Sequence, residues 1–136
     1  LMDLIAELKI EENVSLIRGF QSDQVIDAYL RTNQVGLFPY ISAPGHEVFG
    51  ASGAARLAME KGLPVVSSSI PHFSDLPTIK ANSDAKIAQA IDNLFQDWKV
   101  RRKQIDLQNE HLQTISWDKI AKTHVEIFEK NPLTIC

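Results

Sequence analysis

The chain has 136 residues, 44% of them apolar and 23% charged, which suggests one domain with a real hydrophobic core. Lys and Arg total 14 against 17 Asp and Glu, a net charge of −3, and this acidic balance argues against a nucleic-acid partner gripped by its phosphates. The single cysteine, Cys136, excludes an internal disulfide and a cysteine-based zinc site, and it fits a reducing, cytoplasmic compartment.

No apolar run reaches the roughly 18 residues of a membrane span. Acidic Asp3 and Glu7 interrupt the first turns, so we expect no signal peptide. Because Leu1 already stands inside a predicted helix, we expect the chain to be a piece of a longer protein.

The first half of the chain alternates helical and strand-like patterns, read from the period of its apolar residues and from its turn residues. The predicted elements are a helix over residues 2–10, a strand over 14–17 that ends at Arg18 and Gly19, a helix capped by Ser22 with an apolar stripe over 25–30, and a strand over 35–38 stopped by Pro39.

The second half begins with a helix whose apolar spacing runs over residues 54–59, with Gly62 just past its end. It continues with a strand over 63–66, a loop over 67–77, a short strand over 78–80, a helix capped by Ser83 whose pattern continues weakly to Leu112, and a last helix capped by Ser116 and ended by Asn131-Pro132.

This alternation predicts an α/β fold, a Rossmann-like parallel sheet with flanking helices, in one domain over residues 1–136. Ligands of such sheets bind beyond the carboxyl ends of the strands. The segments to read for function are therefore the loops 18–21, 39–53 and 67–75.

The start of the helix after residue 49 is made of small residues. Gly50, Ala51, Ser52 and Gly53 stand there, so a ligand can approach the backbone closely. The unpaired N–H groups and the dipole of a helix N-terminus attract anions. One interpretation is a diphosphate site, and the other is tight packing of a small-residue helix on the sheet.

Four sequence motifs follow one another in this region: Leu37-Phe38-Pro39, Glu47-Val48-Phe49-Gly50, Ala58-Met59-Glu60-Lys61-Gly62 and Leu63-Pro64-Val65-Val66. Their order resembles the C-terminal, donor-binding half of GT-B-fold retaining glycosyltransferases of the group 1 family. Members commonly show Leu-Phe-Pro at a strand end, then Glu-Pro-Phe-Gly, and a helix that ends in Ala-Met-x-x-Gly-x-Pro-Val-Val. The resemblance covers nearly the whole chain.

The resemblance implies transfer of a sugar from a nucleotide-sugar donor, with retention at the anomeric carbon and without a metal or other cofactor. It implies that Glu47 is the catalytic residue, which contacts hydroxyls of the donor sugar. The donor-binding residues that it implies are Phe49 and Gly50. We predict that the small residues of the helix start, Ala51, Ser52 and Gly53, join them in a variant donor loop, with the Ser52 hydroxyl on a phosphate. Arg18 and Gly19, at the end of the predicted strand 14–17, complete the predicted donor-binding set.

The chain also departs from the family pattern. The second Glu of the family's Glu-x7-Glu pair is replaced by Ala55, or by Leu57 when the count runs back from Ala58-Met59. The family's first two strands, their phosphate-binding Arg and Lys, and the N-terminal acceptor-binding half have no counterpart. Those two strands would lie between the predicted strands 14–17 and 35–38, so we expect unpaired sheet edges and self-association.

Simpler interpretations stand beside these. Glu47 can be a solvated loop carboxylate, and Arg18 can pair with a carboxylate instead of meeting a base or phosphate. His72 lies beyond a strand end and can face the cleft, whereas His124 on an apolar stripe suggests a core or interface histidine. The basic residues 99–103 suggest a solvated helical face, with membrane contact as the alternative.

We therefore predict a glycosyltransferase of which this chain is the donor-binding part and which is inactive without its acceptor half. The expected partners are the nucleotide-sugar donor, the missing N-terminal half and a second copy, and no nucleic acid. The alternative is a non-catalytic glycosyltransferase-like binding or structural domain. Localisation is predicted as cytoplasmic, with membrane association left open.

Overall fold

The structure, a computed structural model, describes residues 1–41 and 52–130, and it shows a mixed α/β fold. Its elements are α1 (Met2–Glu7), α2 (Asp23–Thr32), β1 (Gly36–Phe38), α3 (Gly53–Glu60), β2 (Val65–Ser67), a 3-10 turn (Pro71–Phe73), β3 (Ile79–Lys80), α4 (Asp84–Gln96), α5 (Trp98–Thr114) and α6 (Trp117–Lys130). The strands form a parallel sheet in the order β1-β2-β3, which confirms the predicted α/β class and parallel pairing.

The middle strand is buried on both faces. Successive side chains of a strand point to opposite sides of the sheet, and Val65 and Val66 of β2 enter two different clusters. Val65 packs with buried residues of α3 and with Phe73, whereas Val66 packs with Leu94 and Ala90 of α4. Helices therefore cover both faces, as parallel sheets require.

Helix α5 is joined to the start of β2 through the fully buried side chain of Gln108. Its Oε1 accepts from the N–H of Val65 at 2.9 Å, and its Nε2 donates to the carbonyl of Leu63 at 2.7 Å. Gln104, one turn earlier, donates to Gln108 Oε1 and to the carbonyl of Pro77. Two amide side chains thus fix α5 beneath the amino ends of the strands.

The predicted strand over residues 14–17 is wrong. This run has no regular structure, and Val14, Leu16 and Ile17 are 37%, 38% and 51% exposed. β-branched residues favour a strand when they have a sheet surface to pack on, and no described strand pairs with this run. The expected gap between this run and β1 is therefore wrong too, and β1 remains with β2 as its one partner among the described strands.

Several predicted boundaries also shift. Helix α1 ends at Glu7, and Lys9 at φ 54° turns the chain away before residue 10. The pattern over 83–112 is two helices, because the carboxylate of Asp97 accepts from the N–H of Lys99 and caps α5. The predicted loop 67–77 contains the last residue of β2 and the 3-10 turn. The predicted end of α6 at Asn131-Pro132 lies outside the described residues.

Helix α6 buries none of its residues. Trp117 is 84% exposed and Phe128 is 62% exposed. His124 is exposed as well, with Nδ1 2.8 Å from the carbonyl of Ile120. Of the two predicted positions the core is therefore wrong, and the interface stays a prediction. None of the helices in the described ranges combines the length and the apolarity needed to cross a bilayer.

Candidate functional site

The three strands end at one edge of the sheet. Phe38 is the last residue of β1, Ser67 of β2 and Lys80 of β3. Because the strands are parallel, the loops that follow them meet at this edge. The helix between two neighbouring parallel strands must run back against them, so the N-terminus of α3 lies at the same edge.

A cleft of about 390 Å³ opens at these strand ends. We call it the strand-end cleft, and segments after all three strands line it. Its lining includes Pro39, Tyr40 and Ile41 after β1, Ser68 and Ile70 after β2, and Ala81, Asn82, Ser83, Asp84 and Ile87 after β3 and in α4.

Two polar side chains of the strand-end cleft are hydrogen-bonded within the protein, and a third is not. Asn82 Oδ1 accepts from the N–H of Ser69 at 2.8 Å, and Ser83 Oγ caps α4 by accepting from the N–H of Lys86. Ser68 differs, because it is only 7% exposed and its hydroxyl has no hydrogen-bond partner among the described residues. A buried hydroxyl without a partner is unfavourable, which marks Ser68 as a group that a ligand could satisfy.

Aromatic rings support the cleft wall at Tyr40. The Tyr40 ring stacks on His72 with centroids 5.8 Å apart and lies 5.2 Å from the ring of Phe73. His72 contacts Phe73 in turn, and its Nδ1 is buried without a partner among the described residues. His72 thus stands behind Tyr40 and is not part of the cleft lining.

Lys80 joins the end of β3 to the 3-10 turn. Its Nζ donates to the carbonyl of Phe73 and to Thr78 Oγ1, both at 2.6 Å, and Thr78 Oγ1 is 2.6 Å from Ser67 Oγ. Burial lowers the pKa of Lys80, and the charge of Asp75 acts in the opposite direction. Lys80 therefore links the end of β3 to the loop that follows β2, without itself lining the cleft.

The N-terminus of α3 is capped by Ser52. This residue is 3% exposed, and its Oγ accepts from the N–H of Ala55 at 3.2 Å, the usual N-cap bond. At Gly53 a Cβ would meet no atom of the described residues outside the helix's own backbone within 4 Å, so these residues leave space beside the helix start. Arg56, at the end of the first turn, donates to the Ser52 carbonyl and forms an ion pair with Asp75, so a guanidinium lies near this terminus with its charge paired to a carboxylate.

The predicted donor-binding residues that the structure describes lie in two different segments of the chain. Ser52 and Gly53 begin α3, whereas Arg18 and Gly19 lie in the exposed segment without regular structure. Gly19 has φ +78°, and Arg18 forms no ion pair with another described residue, although its carbonyl accepts from Gln21 Nε2. The catalytic residue predicted from the resemblance, Glu47, and Phe49, Gly50 and Ala51 lie outside the described residues.

Neither position for a second glutamate belongs to the lining of the strand-end cleft. Ala55 is completely buried in the cluster between α3 and the sheet. Leu57 instead lines a groove with Asp23, Ile26 and Lys61, between α2 and α3.

Four residues at this edge were missed by the sequence reasoning: Arg56, Lys80, Asn82 and Asp84. The rule that ligands bind after parallel strands would have found Asn82 and Asp84, had the loop after the short third strand been included. Arg56 could have been noticed because it is a cation in the first turn of a helix, where cations are unusual.

In the described ranges no group of three or more His, Cys, Asp or Glu side chains is arranged to hold a metal ion. No family model, curated protein or solved structure matches the chain. The functional assignment therefore rests on the motifs of the sequence and on the geometry at the strand ends.

Proposed function

We propose that this chain is the donor-binding part of a retaining, metal-independent glycosyltransferase with the GT-B architecture of the group 1 family. The observation that carries the proposal is the position of the α3 N-terminus. This terminus follows the Leu37-Phe38-Pro39 motif, lies at the carboxyl edge of a parallel sheet, and has Arg56 in its first turn. A helix N-terminus at such an edge is suited to a diphosphate.

In this proposal the chain holds the nucleotide sugar and stabilises its leaving group. The bond between the anomeric carbon and the diphosphate oxygen breaks, and a bond from that carbon to the acceptor oxygen forms on the same face. The acceptor proton leaves with the diphosphate. The free N–H groups of α3, together with Arg56 once the diphosphate takes the place of its partner Asp75, stabilise the negative charge that develops on the diphosphate. Glu47 orients the sugar through its hydroxyls.

A non-catalytic, glycosyltransferase-like binding domain is the second candidate. The buried position of Ala55 and the position of Leu57 between α2 and α3 favour it, because no second glutamate is available to hold the donor. Binding of nucleotide sugars fits both candidates. Release of nucleoside diphosphate from a nucleotide sugar in the presence of the acceptor half would support only the first candidate, the glycosyltransferase.

Glu47→Gln provides the test of the proposed function. Thermal-shift titrations with UDP, GDP and ADP, and with their glucose or mannose conjugates, identify the nucleotide. A carboxylate on sugar hydroxyls contributes about 1.5–3 kcal/mol when buried, so the variant should lose roughly tenfold to a hundredfold in affinity for the nucleotide sugar. Its affinity for the bare diphosphate should stay the same.

The control is Glu12→Gln, at an exposed position in the segment after α1, which should change neither affinity. Equal losses for both ligands in Glu47→Gln would show a structural role of the loop. A wild-type chain that binds none of the six ligands would refute the proposed function.

A further inference from the structure

The strand-end cleft differs in charge from a phosphate site. Among the described residues that line it there is no Lys, Arg or His, and Asp84 is its one charged side chain. Asp84 stands in the first turn of α4, where its carboxylate offsets the positive end of the helix dipole. An anion entering here would meet a carboxylate and no cation. The α4 N-terminus therefore selects against phosphate.

The cleft nevertheless offers hydrogen bonds. The Ser68 hydroxyl is buried and unpartnered among the described residues, and it lines the cleft. It can donate one hydrogen bond and accept others, whereas the Asp84 carboxylate only accepts. The two side chains together suit a ligand with two hydroxyl groups, of which one donates a hydrogen bond to Asp84 and the other forms a hydrogen bond with Ser68.

The side-chain oxygens of the other two polar residues of the lining, Asn82 and Ser83, already accept hydrogen bonds from backbone N–H groups, and the remaining side chains are mostly apolar. Ile70 and Ile87 stand there with Tyr40, whose ring is held by its stacking on His72. The volume of about 390 Å³ falls in the range of small-molecule sites, roughly 300–1,000 Å³. Apolar walls with a few placed polar groups suit a ring that has C–H faces and hydroxyl edges.

We propose that the strand-end cleft binds a neutral, hydroxyl-bearing sugar ring through Ser68 and Asp84, apart from the diphosphate at α3. The inference rests on the proposed function in taking this sugar as a substrate. The ring belongs to the donor or to an acceptor glycoside. Both sources share the chemistry that the cleft recognises, and the experiment separates them.

The test uses the 136-residue chain with the methyl α-glycosides of glucose, mannose and galactose as probes, observed by saturation-transfer NMR. At least one glycoside or nucleotide sugar should bind saturably. Ser68→Ala and Asp84→Asn should each weaken that binding at least fivefold, with circular dichroism unchanged. Asp92→Asn, an exposed carboxylate further along α4, is the matched control and should leave the affinity unchanged.

The nucleotide arms identify the source of the sugar. If Ser68→Ala weakens the binding of a nucleotide sugar but not that of the bare diphosphate, the bound ring is the donor's sugar. If it weakens only the binding of the free glycosides, the bound ring is an acceptor's sugar. Glycoside binding without any nucleotide binding would refute the proposed function and leave the cleft assignment standing.

Three results would overturn the cleft assignment. The first is the absence of binding to every glycoside and every nucleotide sugar. The second is unchanged sugar affinity in both folded variants, Ser68→Ala and Asp84→Asn. The third is that inorganic phosphate binds more tightly than any sugar and that Ser68→Ala weakens this phosphate binding.

Discussion

Gln108 connects α5 to the start of β2, where Val65 is paired with Gly36 of β1 on one side and the ladder with β3 begins one residue later, at Val66. Its amide reproduces, with one donor and one acceptor, the hydrogen bonds that a neighbouring strand would give to the N–H of Val65 and the carbonyl of Leu63. Buried backbone groups must be hydrogen-bonded. The Gln108 side chain, at 0% exposure, provides the hydrogen bonds that a neighbouring strand would otherwise make.

Replacing Gln108 by Ala should therefore be strongly destabilising. It leaves two buried backbone groups without partners, at about 1–3 kcal/mol each, so we expect the free energy of unfolding to fall by roughly 2–5 kcal/mol. Urea denaturation followed by circular dichroism measures the change. Gln113→Ala, an exposed position on the same helix, should change it by less than about 0.5 kcal/mol.

At the level of elements, local patterns predicted β1, β2, β3 and the helices, including α2 and α6, which bury none of their residues. The N-cap at Ser83 and the glycine just past the end of α3, Gly62, follow from local chemistry and are confirmed. The run 14–17 has an equally good local pattern. It forms no strand, because pairing depends on a neighbour that local sequence does not specify.

The candidate site shows the same division. Ser52 and Gly53 were found because a helix start can be read from small and capping residues. Asn82 and Asp84 enter the site through a two-residue strand and its place beside β2. The polar spacing around Gln108 likewise gives no sign that this amide is buried. Such residues become visible only when distant segments are brought together.

Helix α2 is joined to α3 through a carboxylate that contacts two cations. Asp27 bonds Arg31 within α2 at 2.6 Å and Lys61 after α3 at 2.7 Å. The hydrogen bond from Arg31, followed by that from Lys61, lowers the pKa of Asp27 below its ordinary value of 3.8. The unfolded chain then takes up the proton at higher pH than the folded chain.

This lowered pKa predicts a pH dependence of stability. The contribution of Asp27 is complete above pH 3.8 and is lost as the pH falls through its lower folded value. Asp27→Asn should thus have a lower melting temperature than wild type at pH 7, and the difference should disappear in strong acid. Asp92→Asn is the control. A difference that stays constant from pH 7 to pH 2 would contradict this assignment.

At the scale of the whole molecule, the chain exposes more surface than its mass requires. Its accessible surface is 10434 Å², whereas a compact monomer of 15.2 kDa has about 7,100 Å². Large apolar side chains contribute to this surface, among them Phe20 at 96%, Trp117 at 84% and Leu37 at 42% exposure. The excess, about 3,300 Å², is larger than the roughly 800 Å² that each partner buries in a standard stable interface.

Strand β1 places part of this surface on a sheet edge. It pairs with β2 on one side, and no described strand lies on its other side. Open edges of this kind pair with other chains. We therefore expect the chain to self-associate through β1, and Leu37→Lys to shift it toward monomer, because charged lysines on an edge oppose pairing. Val100→Lys, at a comparably exposed position on α5, is the control for added charge.

Sedimentation velocity at low and at tens of micromolar concentration measures this association. Wild type and Val100→Lys should sediment faster as the concentration rises, and Leu37→Lys should stay near the monomer value. A monodisperse wild-type monomer that unfolds cooperatively would show that the β1 edge and the exposed apolar side chains are tolerated in water. An association that Leu37→Lys leaves unchanged would place the contact elsewhere, on a surface such as the face of α6 that carries Trp117 and Phe128.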